Sequence, residues 1–266
     1  MENTTVLTEL DARGVATVTL NRPDVNNAYN GDMIAGLHAA MDALQEKGGV
    51  RVVVLKGNGR HFQAGADLKW IRGVREGDAR SNDEASRRTA QAVDRLNRLP
   101  VPVVALVQGG CFGGGTGVVA ACDVVIAADN AIFSISEVRW GLHAGVILPQ
   151  LNDAMSVRQV RRYALTGERF DAQEARRVGL VHEVVPLAEL AQRGEAIVTQ
   201  LLANGPQAIA ATKRHLLEHC WGGFEQATLD ALIQSHSSAR QTEEAGEGLA
   251  SFVEKRDAKW APARAG

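Results

Sequence analysis

PVVALVQGGCFGGGTG, residues 102–117, runs from a nearly continuous apolar segment into glycines at 113, 114, 115 and 117. An apolar run of this length, closed by glycine, reads as a strand buried on both faces. The glycines turn it into a helix beginning near residue 114. Outward from this unit the pattern repeats. GVATVTL at 14–20 alternates as a strand, and VRVVVLKG at 50–57 is a second buried strand. Met33, Ile34, Leu37, Met41 and Leu44 recur at helical spacing until Gly48 and Gly49 end the helix. CDVVIAAD at 122–129 and AIFSI at 131–135 are two further short strands. Strands alternating with helices predict an α/β sheet architecture.

The remaining segments have a different texture. REGDARSNDE at 75–84 has few apolar anchors and reads as a mobile or solvated stretch, followed by a helix with Ala85, Ala92, Leu96 and Leu99 inward. Beyond residue 150, segments 154–166, 171–178, 186–203, 206–219 and 224–240 read as helices, with one strand, VHEVV, at 181–185. The division expected is a core over 1–195 and a helical C-terminal region over 196–266.

Composition excludes several classes. Of the 266 residues 45% are hydrophobic, enough for one large domain with an appended subdomain. Lys and Arg number 29 against 31 Asp and Glu, which argues against a bulk electrostatic nucleic-acid binder. Cys111, Cys122 and Cys220 have neither metal spacing nor the density of a disulfide scaffold. No set of His, Cys, Asp and Glu has the spacing of a metal site. The N-terminus lacks the basic start and apolar core of a signal peptide. No apolar run approaches the roughly 18 residues of a membrane span. A cytoplasmic location in a reducing compartment is the expectation.

The glycine run admits three uses. A phosphate loop of the Walker type needs a lysine and a hydroxyl residue after its glycines, and TGVVAAC has no lysine. A dinucleotide loop needs a small residue at 118, which is valine. An oxyanion site fits better, because N–H groups at a first helical turn are unsatisfied and glycine lets a carbonyl approach. A second donor is expected from Ala66, in the AGAD loop at 64–67 after the 50–57 strand. The plain alternative is that both loops are close turns. Glu137, leaving the end of the 131–135 strand, is the best acid/base; partial burial raises a carboxyl's pKa. Its structural alternative is a capping or salt-bridging residue paired with Arg139. Asp123 reads as structural, Asp67 as a helix cap, and His61 and His143 as loop histidines, with His143 within reach of a pocket.

HFQAGADL at 61–68, CFGGGTGVVAACDVVIAADNAIFSISEVRWGL at 111–142, RRYALTGERFDAQEARRVGLVHEVV at 161–185 and FVEKRDAKW at 252–260 together resemble the enoyl-CoA hydratase/isomerase, or crotonase, family. The resemblance spans nearly the whole chain. It implies a four-turn ββα spiral with a helical C-terminal trimerisation region, and a homotrimer or a hexamer built as a dimer of trimers. It implies an acyl-CoA thioester as substrate, with coenzyme A part of that substrate and no separate cofactor. The thioester oxygen would sit between the N–H groups of Ala66 and Gly114, which stabilise an enolate. Glu137 would be the catalytic carboxylate. The CoA portion would meet Ala64, Asp67 and Leu68, with Lys255 and Arg256 of the tail at its phosphates and Arg22 and Lys69 as weaker partners. Arg139, Trp140 and His143 would line the acyl site.

Simple hydratases of the family use two glutamates, and the position of the first is Gly117 here. An isomerase needs one carboxylate. A hydratase-lyase for an aromatic acyl-CoA also resembles this pattern but needs groups for a phenol, and only Tyr29 and Tyr163 exist. ISEVRWGLHAGVILPQLN with RQVRRYALTGERFDA most resembles hydratases of glutaconyl-type thioesters, of leucine breakdown or of acyclic terpene breakdown, the latter on isohexenylglutaconyl-CoA. Their distal carboxylate requires a cationic or hydrogen-bonding partner, for which Arg139 and His143 are the candidates. A non-catalytic acyl-CoA binder is the rival outside enzymes.

Overall fold

The computed structural model describes residues 4–219 and 243–260. Strands β1 (Val6–Leu10), β2 (Val15–Leu20), β3 (Val52–Gly57), β4 (Val103–Val107), β6 (Val124–Ala128) and β9 (Glu183–Val185) form one sheet in the order β1-β2-β3-β4-β6-β9. Only the β1–β2 pair is antiparallel. A second, short sheet joins β5 (Gly110–Phe112), β7 (Ile132–Ser134) and β8 (Phe170–Asp171). Two isolated parallel bridges, Tyr29 with Ala66 and Gln63 with Cys111, extend that second layer.

These pairings generate four similar turns. Each runs from a strand of the large sheet, through a short extended piece in the second layer, into a helix. β2 leads through Tyr29 to α1 (Gly31–Lys47). β3 leads through 63–66 to α2 (Leu68–Glu76) and α3 (Ala79–Asn97). β4 leads through β5 to α4 (Gly114–Ala120), and β6 through β7 to α5 (Leu148–Met155) and α6 (Val157–Thr166). The expected ββα spiral is therefore the architecture. α7 (Ala172–Val178) follows β8, and α8 (Leu190–Leu202), α9 (Pro206–His219) and α10 (Glu243–Glu254) make the C-terminal part helical.

The sheet is apolar on both faces because both are covered. Ala16, Val18, Leu55, Ala105 and Val125 face the interior of the spiral with Met33, Leu37 and Leu96. Val52, Val54, Val104, Leu106 and Ile126 face the other way, against Leu190, Val198 and Leu202 of α8. Gly194 lets α8 approach, since a Cβ there would stand 2.8 Å from Leu106 Cδ2.

Several sequence expectations are corrected. The stretch 75–84 is largely helical: it carries the end of α2 and the start of α3, where Asp78 caps by accepting from Ser81 N–H at 2.7 Å. Its solvent-facing charges are held by local pairs such as Arg87 with Asp83 at 2.7 Å. Segment 154–166 is two helices, parted at Ser156, whose φ of 67° cannot continue a helix. β1 was unexpected; only Val6 of its five residues is fully buried, so it shows no apolar alternation. Cys220 and the helix expected at 224–240 lie outside the described residues.

Candidate active site

The four turns deliver Tyr29, Ala66, Gly114 and Glu137 to one corner of the spiral. Tyr29 N–H donates to Gly65 C=O and Asp67 N–H donates to Tyr29 C=O, each at 2.8 Å. A parallel bridge of this kind uses the groups flanking Ala66 and turns Ala66's own N–H to the opposite side. Gly114 is the first residue of α4, so its N–H has no intrahelical partner. Among the described residues, neither the Ala66 nor the Gly114 N–H donates to any protein group.

Gly113 turns the chain between β5 and α4 at φ 52°, a left-handed conformation that favours glycine. Its N–H donates to Ser134 C=O at 2.9 Å, and Thr116 Oγ1 donates to its carbonyl at 2.7 Å, so the turn is braced from β7 and from within α4. Tyr29 lies directly on Gly114. A Cβ at 114 would meet Tyr29 Cε1 at 2.7 Å and Oη at 3.3 Å. Trp70 of α2 holds the phenol ring edge-on, with centroids 5.7 Å apart.

Glu137 opens a short 3-10 helix over Glu137–Trp140. Its Oε1 would stand 3.3 Å from a Cβ placed on Gly113, and its Oε2 is buried without a hydrogen-bond partner. Burial pushes its carboxyl above the usual value, and the backbone N–H groups of Glu137 and Ser136 only partly offset that. No ion pair with Arg139 forms among the described residues, which removes the salt-bridge alternative. Burial, and then the charge of Glu137, push the Tyr29 hydroxyl up to about 12. The space beside Gly117 is filled by the fully buried Ile147: a Cβ at 117 would overlap Ile147 Cβ and Cγ2. The wall on that side is hydrocarbon.

The other expected residues fall in two groups. Arg139 donates its Nε–H to Gly167 C=O at 2.8 Å, which ties its 3-10 helix to the end of α6, and His143 Nδ1 accepts from Gly145 N–H at 3.2 Å within its own loop. Trp140 is 64% exposed beside them. Ala64 N–H donates to Asn26 C=O, leaving the Ala64 carbonyl without a partner among the described residues, and Leu68 is exposed. The Asp67 side chain is the helix cap expected from the sequence. Its Oδ1 accepts from Lys69 N–H and its Oδ2 from Arg22, each at 3.0 Å. Burial raises its carboxyl, but those bonds outweigh it and hold the group below the usual range. Arg22 is occupied by the same pair.

The Arg256 guanidinium is paired with Glu247 at 2.6 Å and with Glu254 at 2.5 Å. It and Lys255 precede Trp260, whose carbonyl accepts from Arg51 at the N-terminal end of β3 and whose Nε1–H donates to Ala203 C=O. Ala66 lies in the loop beyond the opposite, C-terminal end of that six-residue strand, which is itself roughly 20 Å long at a strand's rise. Tyr29 was missed as a site residue by sequence reasoning. Its signal was a lone aromatic in a polar loop, NNAYN at 26–30, immediately before a helix. Among the described residues no group of His, Cys, Asp and Glu is placed to hold a metal ion, and no helix is long and apolar enough to cross a membrane.

Comparison with known proteins gives this corner a context. The enoyl-CoA hydratase/isomerase family matches residues 11–263. An enoyl-CoA hydratase from Shewanella pealeana has the same fold at a TM-score of 0.93, with 35% identity over 97% of each chain. Pseudomonas aeruginosa AtuE superposes at 0.92 with 37% identity, over 97% of this chain and 100% of that one. The hydroxycinnamoyl-CoA hydratase-lyase of Pseudomonas fluorescens is 32% identical, over 92% of this chain and 91% of its own.

Proposed function

This chain belongs to the enoyl-CoA hydratase/isomerase family and is an enoyl-CoA hydratase-type hydro-lyase acting on acyl-CoA; from that premise we propose that its substrate is a branched, glutaconyl-type acyl-CoA, with isohexenylglutaconyl-CoA favoured over 3-methylglutaconyl-CoA. The observation that carries this reading is the pairing of Glu137, a buried carboxylate with an unpartnered oxygen, with two free N–H donors, while Ile147 fills the space beside Gly117. The thioester oxygen lies between the Ala66 and Gly114 N–H groups, which stabilise the enolate charge without reorganising. Glu137 takes a proton from water as the water oxygen bonds to C3. It then returns that proton to C2, which discharges the enolate and restores the carboxylate.

Arg139, whose terminal guanidinium nitrogens make no hydrogen bond among the described residues, is the proposed partner of the distal carboxylate, with Trp140 and His143 at the acyl rim. The Ala64 carbonyl and Leu68 meet the adenine. Lys255 and Arg256 serve a phosphate of CoA only across a trimer contact, from a neighbouring copy. Exposed Val157, Leu165 and Leu216 give such an assembly apolar surface to cover, in a trimer or a hexamer.

A second reading, hydration and cleavage of an aromatic acyl-CoA, is favoured by Tyr29 in the corner and by likeness to the hydroxycinnamoyl-CoA enzyme. A panel of isohexenylglutaconyl-, 3-methylglutaconyl-, crotonyl-, 3-enoyl- and feruloyl-CoA, followed by mass, separates these. Gain of water confined to the glutaconyl esters is the expected result. Double-bond migration without mass gain, cleavage of feruloyl-CoA alone, or binding without turnover each defeats the assignment.

A further inference from the structure

Gly117 and Ile147 leave the water that Glu137 must activate without a second carboxylate to hold it, and Tyr29 brings a phenol hydroxyl to the same corner. Three observations define its position. The Tyr29 backbone is bridged to Ala66, so the residue starts beside one N–H donor. Its ring ends over Gly114, the other donor, with Oη 3.3 Å from the point a Cβ would take. It feels the charge of Glu137, yet makes no direct hydrogen bond to it or to any other described protein group. Glu137 Oε1 stands 3.3 Å from the same point on the neighbouring Gly113, so hydroxyl and carboxylate lie over adjacent residues without bonding each other, an arrangement for a bridging water, which needs two to four polar partners.

We propose that Tyr29 is a catalytic residue of the hydration, fixing the attacking water between its own hydroxyl and Glu137 in place of the missing second carboxylate. One water hydrogen points at Glu137 and the other at Tyr29 Oη. As the water oxygen bonds to C3, the first O–H bond breaks and its proton passes to Glu137. The C2–C3 π pair becomes the enolate between Ala66 and Gly114, and the proton on Glu137 then forms the C2–H bond. Tyr29 keeps its proton throughout, as a hydroxyl titrating near 12 does at neutral pH. Gly114 is part of the device, because any larger residue would push the ring away.

This inference rests on the hydratase reading, and one experiment separates their failures. Tyr29→Phe keeps the ring against Gly114 and Trp70 and removes only a hydroxyl that bonds no protein group, so thermal unfolding should be unchanged. Hydration of the best panel ester and exchange of the α-proton of a saturated acyl-CoA into D2O are measured in both proteins. Exchange needs Glu137 and the two N–H donors but no positioned water. The expected result is a fall of about 10²-fold in kcat for hydration, with KM and α-proton exchange held within a few-fold. Equal hydration by both proteins, or parallel loss of hydration and exchange, overturns the role of Tyr29. Exchange without hydration by the unaltered enzyme overturns the hydratase reading itself.

Discussion

A carboxyl group buried with one oxygen unpartnered holds its proton to higher pH than it would in water, so Glu137 links rate to stability. Hydration needs the carboxylate, and the acid limb of kcat should therefore lie above the ordinary 4.5 of a glutamate. The native protein keeps this proton longer than the unfolded chain does, so over that interval the native state binds more protons and stability falls as pH rises. Glu137→Gln removes the charged form. The variant should lose at least about 10²-fold in kcat while retaining thioester binding. It should also melt higher than the parent at pH 7, and the difference should vanish well below pH 4.5. Calorimetry across pH reads the second effect, and a variant that melts lower at neutral pH would remove burial as the cause. Arg139 is the contrasting residue: two positions further on and of opposite charge, it is tied to Gly167.

At the scale of elements, α4 and the 3-10 turn at Gly145–Ile147 share one contact that sets how many carboxylates the corner holds. A side chain at 117 meets Ile147 Cβ as well as Cγ2. Gly117→Ala should cost about 1–3 kcal/mol through overpacking, measured by urea unfolding. Ile147→Ala in the same chain should not relieve it, because the Cβ remains. Full rescue by that second change would mean the overlap is carried by the outer carbons alone. The strands and the first helix were legible because their apolar periods are unbroken, as in 52–57 and at Met33, Ile34 and Leu37. The loops that carry the free N–H groups of Ala66 and Gly114 were legible because a small residue after a strand is a local signal, while the choice of Gly114 within its loop came from the family resemblance. Tyr29 was not, since its partners are Gly114 and Glu137, and no local pattern reports a contact across three turns. The helix break at Ser156 and the helical state of 75–84 were hidden for a related reason: one backbone angle decides the first, and solvent-facing side-chain pairs support the second.

Across the whole molecule, the helical C-terminal part is fastened to the strand ends remote from the site. Lys213 of α9 is buried and donates to Asp123 Oδ2 at 2.7 Å and to Val101 C=O, while Asp123 Oδ2 also accepts from Val103 N–H. Asp123 was read as structural from sequence, and it is the knot between α9, β4 and β6. Breaking a buried pair costs about 3–5 kcal/mol. With the Asp123 side chain 30% exposed, Lys213→Ala should cost less, about 1–3 kcal/mol. Thermal unfolding with kcat measured beside it checks this: the melting point should drop while turnover per folded molecule stays within a few-fold. Selective loss of turnover at an unchanged melting point would mean that α9 acts on the site directly.

The corner where each turn of the spiral presents one residue also bears on divergence. Two of its four contributions, at 66 and 114, are main-chain N–H groups that the bridges and the helix start aim regardless of which side chain is encoded. The other two, at 29 and 137, are side chains and can be exchanged one codon at a time. Descendants of such a scaffold inherit enolate stabilisation through its geometry and acquire new reactions by swapping the groups around it. Gly117 beside Ile147 shows how one wall of the corner is closed, by a missing side chain and the hydrocarbon that fills its space.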